Sequence, residues 1–308
     1  MVRENERVAW FNGKIVPESQ VMVPFRDLSF LKGDGIFDMA RSFNGKSFRL
    51  KEHISRLYRS LKYVGIDPGI SAAEMHAISE EVLERNRHLL GPDEDYWIGQ
   101  RVSRGTRHAA GDNWDHYGPN VIVECLPLSL KERATLFRDG IEVVTPSVRR
   151  VSPASLSPRA KTHNYLNLIM ADREVKAQNP EAWAVLLDVN GNLCEGQGSN
   201  IFLVRDGHLT TPQDRYVLPG VSRQVAIDLA REMDIPVEEK DIDLYDAYTA
   251  DECFITSTSL CICGVRSLNG STFSTGEVPG PVTQRLIDAY IKLADCDFVR
   301  QHTRLIES

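Results

Sequence analysis

Apolar and polar positions along the chain change rhythm many times, and the pairs Asn12-Gly13, Asn44-Gly45, Asp139-Gly140, Asn190-Gly191, Asp206-Gly207 and Asn269-Gly270 punctuate those changes. Asn-Gly or Asp-Gly flanked by short apolar or alternating runs is the strongest local signal for an antiparallel hairpin, because the tight turn needs φ above zero at its centre. AWFNGKIVP and FDMARSFNGKSFRL therefore read as two hairpins. KEHISRLYRSLKYVG follows as a helix, and Ser71 with Glu74 forms a capping box for a second helix running to about Leu90.

YWIGQRVSRG and NVIVECLPL read as paired strands joined by the long polar loop RHAAGDNWDHYGP. Beyond LSLKERATLFRDG a second half brings its own strands, IEVVTPSV, AWAVLLDV, SNIFLVRDG and ADECFITST, with helices expected over 164–178, 222–234 and 281–294. Hairpins mixed with helices in this order predict an α+β protein of two mixed domains, 1–129 and 130–308. No internal repeat or low-complexity tract interrupts them.

A length of 308 residues gives each half room for a core, and 42% hydrophobic with 26% charged residues is ordinary for a soluble globular chain. With 36 Lys+Arg against 43 Asp+Glu the net charge is −7, which argues against a nucleic-acid partner. No apolar run reaches the roughly 18 residues of a membrane span. The start MVRENERVAW has no apolar secretory core, so a cytoplasmic protein with no membrane partner is expected. Cys125, Cys194, Cys253, Cys261, Cys263 and Cys296 show no C-x-x-C spacing, so reduced thiols and no metal site are expected.

No G-x-G-x-x-G opens a helix after a strand, and no G-x-x-x-x-G-K-[ST] phosphate loop is present. G-D-G at 33–35 and G-Q-G at 196–198 lie between hairpin strands, where turn geometry accounts for them.

The candidate chemistry centres on SPRAKTHNYLNLIM, where Lys161 stands at a loop-to-helix entrance. Alone, such a lysine would simply face water. Four other features give it company. Glu195 lies between two strands in LCEGQGSNIFLV. In LPGVSRQVAIDLA, Pro219-Gly220 makes a turn and Ser222 is the expected N-cap, leaving N–H groups at Val221 and Ser222 for an anion. FITSTSL ends a strand in hydroxyls at Thr256, Ser257, Thr258 and Ser259, and His53-x-x-Arg56 offers a guanidinium suited to phosphate. A lysine for imine formation, a carboxylate for a pyridinium nitrogen and several phosphate donors together meet the requirements of pyridoxal 5′-phosphate.

In that order, H-x-x-R, K-x-x-N-Y-L-N, E-G-x-G-S-N-I-F, L-P-G-V-S-R and F-x-T-S-T resemble the class IV aminotransferases, the fold type IV family of branched-chain and D-amino-acid aminotransferases, over about residues 8 to 290. The resemblance implies two mixed α/β domains with the cofactor between them. It implies that Lys161 binds the cofactor as a Schiff base and then carries the substrate proton, that Glu195 pairs with the pyridine nitrogen, and that Tyr165 hydrogen-bonds the phenolic oxygen. Arg56, Val221, Ser222 and Thr258 match the phosphate cup. K-T-H-N-Y departs from the branched-chain enzymes, which usually carry one more residue between lysine and tyrosine. The chemistry agrees with the lysine's role, since an amine attacks only when deprotonated and lysine in water holds its proton to a pKa of about 10.4. Burial beside a cationic ring removes that obstacle.

For the substrate, FDMARSF resembles the F-E-G-I-R-x-Y strand of branched-chain enzymes, matching at Phe37 and Arg41 and departing at Asp38, Met39 and Phe43. Gly99 stands where those enzymes carry a carboxylate-binding arginine. Arg101, two residues on and so on the same strand face, is the expected replacement. S-R-G at 103–105 is similar to the T-R-G of D-amino-acid and (R)-amine transaminases, with Arg107 or His108 as a loop clamp. Phe37, Arg41, Trp97, Arg101, Ser259 and Leu260 are the expected substrate contacts, with Trp114 and Tyr117 as further wall candidates.

A glycine in place of a large cation suggests an open pocket, hence a branched-chain-like transaminase that also accepts (R)-amines. A D-amino-acid or strictly (R)-selective transaminase, aminodeoxychorismate lyase and a non-enzymatic cofactor carrier are the alternatives. The resemblance also implies a homodimer, with the 104–119 loop reaching the neighbouring pocket.

Overall fold

A computed structural model of the chain describes residues 6–111 and 117–307. It divides into two compact units, Met1–Leu128 with Ala160–Asn164, and Ser129–Arg159 with Tyr165–Ser308. The stretch expected as one domain from 130 to 308 is therefore interrupted, and the interruption carries the candidate lysine. Backbone pairing is the reason: Phe37 N donates to Lys161 O at 3.0 Å, His163 N donates to Gly35 O at 2.8 Å, and Thr162 forms a bridge with Ile36.

The first unit contains β1 (Val8–Phe11), β2 (Lys14–Pro17), α1 (Leu28–Lys32), β3 (Gly35–Phe43), β4 (Lys46–Phe48), α2 (Leu50–Val64), α3 (Ala72–Asn86), β5 (Tyr96–Ser103) and β6 (Val121–Pro127). Among the described residues these strands form one six-stranded sheet in the order β2-β1-β6-β5-β3-β4. Asn12-Gly13 and Asn44-Gly45 make its tight turns with φ of 46° and 94°, and 52° and 70°, which is why asparagine and glycine stand there. One face of the sheet packs on the helices: Ile36 and Ala40 of β3, Ile98 and Val102 of β5 and Val123 of β6 join Ile54, Leu57 and Leu61 of α2 and Met75 and Val82 of α3 in one core. The Ser71–Glu74 capping box opens α3.

The second unit contains α4 (Leu130–Asp139), β7 (Ile141–Val144), α5 (Leu166–Lys176), β8 (Trp183–Leu187), β9 (Leu193–Gly196), β10 (Ser199–Arg205), β11 (His208–Thr211), α6 (Val221–Glu232), β12 (Val237–Glu239), α7 (Leu244–Tyr248), β13 (Glu252–Ser257), β14 (Cys261–Leu268), β15 (Ser271–Thr272), α8 (Pro281–Ala294) and α9 (Phe298–Thr303). Its main sheet runs β12-β11-β10-β13-β14-β7-β8-β9, and β9 also pairs with β10, so the strands from β10 to β9 close on themselves. Closure removes two free edges. Ile141, Val185, Ile201, Ile255, Cys263 and Val265 are among the residues of its apolar core.

Two expectations change here. Asp139-Gly140 is no hairpin turn: Gly140, with φ of 75°, ends α4. Ser222 is no N-cap either, because α6 starts one residue earlier, with Gly220 at the cap and no side-chain cap hydrogen bond. Among the described residues no helix is long and apolar enough to cross a membrane.

Candidate functional site

In the first unit Lys161 is only 9% exposed. Its backbone is held on both sides, by Phe37 N and by Ser60 Oγ, which accepts from Lys161 N at 3.2 Å. The amine lies 4.6 Å from the centre of the Phe37 ring. A lysine fixed at the backbone and laid on an aromatic face is not a solvated surface charge.

Helix α2 turns His53, Arg56 and Ser60 inward at three- and four-residue spacing, where a polar stripe would be expected to face water. Ser60 Oγ donates to Arg56 O at 3.0 Å while receiving the Lys161 amide, so the serine ties the helix to the lysine strand. Asp38 of β3 explains the buried arginine. It accepts Arg56 Nε at 2.8 Å and Nη2 at 2.7 Å, and its Oδ1 lies 2.7 Å from His53 Nδ1.

Burial pushes the Asp38 carboxyl up, but Arg56 and then His53 more than reverse this and hold it well below the usual carboxylate range. The His53 imidazole is lowered by burial against the pull of Asp38, with the charges of Arg56 and Lys161 adding to the lowering. Arg56 is thus a cation locked in one orientation by a two-pronged carboxylate.

The other face of the sheet carries the expected substrate residues. Antiparallel register aligns Met39, Gly99 and Glu124 in one row, and Phe37, Arg101 and Ile122 in the next. Arg101 Nε donates to Glu124 Oε1 at 2.7 Å, and its guanidinium lies 5.7 Å from the same Phe37 ring that receives Lys161. Trp97 follows Gly99 on this face, half-buried.

The space over Gly99 is not open, contrary to expectation. A Cβ there would lie 3.0 Å from Glu124 Oε1 and 3.3 Å from Met39 Sδ. Arg41, two residues from Met39 on the same strand, has partners of its own. It is 1% exposed, donates Nε to Ser42 O at 3.0 Å, lies 3.9 Å from the Phe43 ring and faces Asp95 at 3.8 Å. With 34% of its side chain exposed against 1% for Arg41, Arg101 is the more open of the two arginines.

His163 borders the same ring at 5.6 Å, and its Nε2 has no hydrogen-bond partner among the described residues. Burial, with Arg101 adding and Asp27 opposing, pushes its imidazole down to about 4. A Cβ at Gly35 would come within 2.6 Å of His163 Nδ1, so that glycine makes room for the ring. In the 104–119 loop Arg107 and His108 are exposed, the His108 ring lies tilted 4.8 Å from that of Tyr117, and Gly118 N donates to Thr106 O at 3.1 Å. Trp114 lies outside the described residues.

In the second unit Glu195 is buried at the end of β9. Arg150 Nε donates to its Oε1 at 2.9 Å and Leu218 N to its Oε2 at 2.8 Å. Asn167 supports the pair, accepting from Arg150 Nη1 at 3.3 Å and from Val151 N at 3.0 Å. The turn after Glu195 is tight because Gly198 adopts φ of 89° and Ser199 pairs directly with Gly196.

The first turn of α6 has no side-chain cap, so the N–H groups around Val221 and Ser222 are oriented as an anion site would need. Gly220 is required at the cap, since a side chain there would run into Asn200 Oδ1. Ser222 Oγ lies 3.3 Å from Tyr290 OH. β13 packs against α6 and ends at the hydroxyl run, where Thr256 Oγ1 is buried without a hydrogen-bond partner among the described residues.

Thr258 is half-buried in the turn that follows. Ser259 is buried with its Oγ 3.3 Å from Ser257 Oγ. Leu260 sits in the apolar core with its N–H on Ser257 Oγ. Tyr165 caps α5 and packs beside Leu168 and Val175.

Asp38, Ser60, Glu124, Arg150 and Asn167 are the polar residues that sequence reading missed. Ser60 stands four residues after Arg56, Asn167 closes the K-x-x-N-Y-L-N motif and Asp38 is a departure in FDMARSF, while Glu124 and Arg150 left no signal.

The fit to pyridoxal 5′-phosphate rests on these observations. A buried, backbone-fixed amine suits the aldehyde, an oriented buried carboxylate suits the ring nitrogen, and an uncapped helix start near an orphaned threonine hydroxyl suits a phosphate.

Comparison with known proteins agrees. The amino-transferase class IV family matches residues 35–268. A Methanocaldococcus jannaschii protein, provisionally named a branched-chain-amino-acid aminotransferase, is 36% identical over 282 residues, covering 91% of this chain and 94% of that one. The Escherichia coli branched-chain-amino-acid aminotransferase is 30% identical over 290 residues and 92% of each chain. Its crystal structure superposes with a TM-score of 0.83 at 29% identity over 94% of each chain. A second branched-chain amino acid aminotransferase, from T.th. and solved with pyridoxamine 5′-phosphate, superposes with a TM-score of 0.81 at 25% identity over 95% of each chain. The fold is therefore fold type IV, and these relatives favour neither the lyase nor the strictly D- or (R)-selective alternative.

Proposed function

Because this chain belongs to the class IV aminotransferases, we propose that it binds pyridoxal 5′-phosphate and moves the amino group of a branched-chain-type amino acid, and of (R)-amines as well, to a 2-oxo acid. The observation that carries this reading is Lys161, buried, pinned through its backbone and laid over Phe37.

When bound, the cofactor supplies an electron sink that makes the substrate α-hydrogen acidic. Lys161 would have two tasks: its Nζ would hold the cofactor by its aldehyde and, when free, would take the substrate α-proton and hand it on across the nitrogen, two bonds away. A rigid backbone on both sides of the lysine limits the positions from which that proton is handed over. Glu195, oriented by Arg150 and Leu218 N, places a negative charge for the pyridine nitrogen. Val221, Ser222 and Thr258 serve the phosphate with Arg56, and Tyr165 serves the phenolic oxygen. Phe37, Trp97 and Met39 give the substrate side chain an apolar wall, while Arg101 takes its carboxylate.

The proposal includes a homodimer, supported by the exposed apolar residues Met22, Phe25, Phe30 and Leu31 of the first unit. Turnover of L-leucine, D-alanine and (R)-1-phenylethylamine, each against 2-oxoglutarate and pyruvate, tests the reading. L-leucine and (R)-1-phenylethylamine should react, and the absence of turnover with every donor contradicts it.

A further inference from the structure

We propose that Glu124 is a specificity-determining residue, an internal carboxylate that competes with the substrate carboxylate for Arg101. The inference deepens the transaminase reading and rests on it for the identity of the substrate.

Three observations in the first unit lead to it. The register of β3, β5 and β6 places Glu124 beside Gly99 and one row from Arg101, on the face that carries Phe37. Because position 99 has no side chain, the Glu124 carboxylate leans across it; an added Cβ would lie 3.0 Å from Oε1. From there Oε1 reaches Arg101 Nε at 2.7 Å, which is the one hydrogen bond of the Arg101 side chain among the described residues.

The arrangement is that of an occupied carboxylate site. Arg101 and Lys161 flank the same aromatic ring, at 5.7 and 4.6 Å from its centroid. An α-amino acid carries its amine and its carboxylate on one carbon, so a guanidinium sharing a ring with the lysine that would hold the reacting aldehyde suits the carboxylate of such a molecule. Glu124 already fills the guanidinium's Nε position. At 34% and 16% side-chain exposure the pair is open to water, unlike the buried Asp38–Arg56 pair, so an incoming anion can exchange with it.

Two classes of donor then meet different pockets. An amino acid or 2-oxo acid must displace Glu124 from Arg101 before it docks. A primary amine without a carboxylate leaves the Arg101–Glu124 pair closed, and the closed pair offers it a charge-balanced wall in place of a bare cation. The same pocket thereby admits both, with the glutamate setting the balance between them.

Purified holoenzyme is titrated calorimetrically with isovalerate, an inert branched carboxylate, for the wild type, Glu124→Gln, Arg101→Ala and the double variant. Glutamine keeps the volume and removes the charge. Glu124→Gln is expected to bind isovalerate about fivefold more tightly, the scale of one exposed ion pair. The kcat/KM ratio of L-leucine to (R)-1-phenylethylamine should rise with it, and the gain should vanish when Arg101 is also removed. Unchanged or weaker isovalerate binding in Glu124→Gln, or a gain that survives the loss of Arg101, overturns the proposal. Failure of the transaminase reading would be seen separately, as no turnover of any donor by the wild type.

Discussion

Lys161 and Phe37 hold each other twice: the Phe37 amide donates to the Lys161 carbonyl at 3.0 Å, and the Lys161 amine lies 4.6 Å from the centre of the Phe37 ring. Strand β3 thus fixes both ends of the residue that performs the proposed chemistry, and the ring provides an apolar floor beside it. Phe37→Ala removes the floor and leaves the backbone bond. It should lower kcat by about tenfold or more while the protein stays folded, because small losses of position cost large factors in rate. Steady-state kinetics beside a circular dichroism melt checks this.

Removing the charge of Asp38 leaves Arg56 buried without its counterion. Asp38→Asn should therefore destabilise the protein by about 3–5 kcal/mol. Because the folded carboxyl is held far below its unfolded value, its contribution is complete above about pH 4 and is lost as the pH falls further. Urea melts of wild type and variant at pH 7 and pH 3 should show the gap narrowing at the lower pH.

His163 acts in the same direction as Asp38, but in a higher pH window. Its folded value of about 4 lies below the unfolded value, so the unfolded chain takes up a proton first and stability falls as the pH drops through the window from about 6.5 to 4. His163→Gln should flatten the stability profile across that window. Denaturant midpoints measured from pH 7 to pH 4 give the comparison.

Replacing Gly220 puts a side chain against Asn200 Oδ1 at the start of α6. Gly220→Ala should weaken pyridoxal 5′-phosphate binding by tenfold or more if that helix start holds the phosphate. Equilibrium dialysis of the cofactor measures it, and pyridoxal, which lacks the phosphate, should bind wild type and variant alike.

The sequence carried the hairpins, the main helices and the family through local signals: Asn-Gly turns, the Ser71–Glu74 box and five ordered motifs around Lys161. What it hid depends on register. Asp38 reads as one polar residue in a strand until α2 is laid on β3 and Arg56 meets it. Glu124 and Gly99 are 25 residues apart in sequence and become neighbours only when β5 pairs with β6. Arg150 lies in a polar loop with no periodicity to single it out. The CICGVRSL strand, without clear alternation, and the short helices α4 and α9 gave no pattern strong enough to be read in advance.

The most direct measurement is chemical trapping. Holoenzyme reduced with borohydride and digested should yield a single phosphopyridoxyl-modified peptide, with the group on the side chain of Lys161. A label on another lysine, or none at all in protein shown to contain the cofactor, would contradict the account.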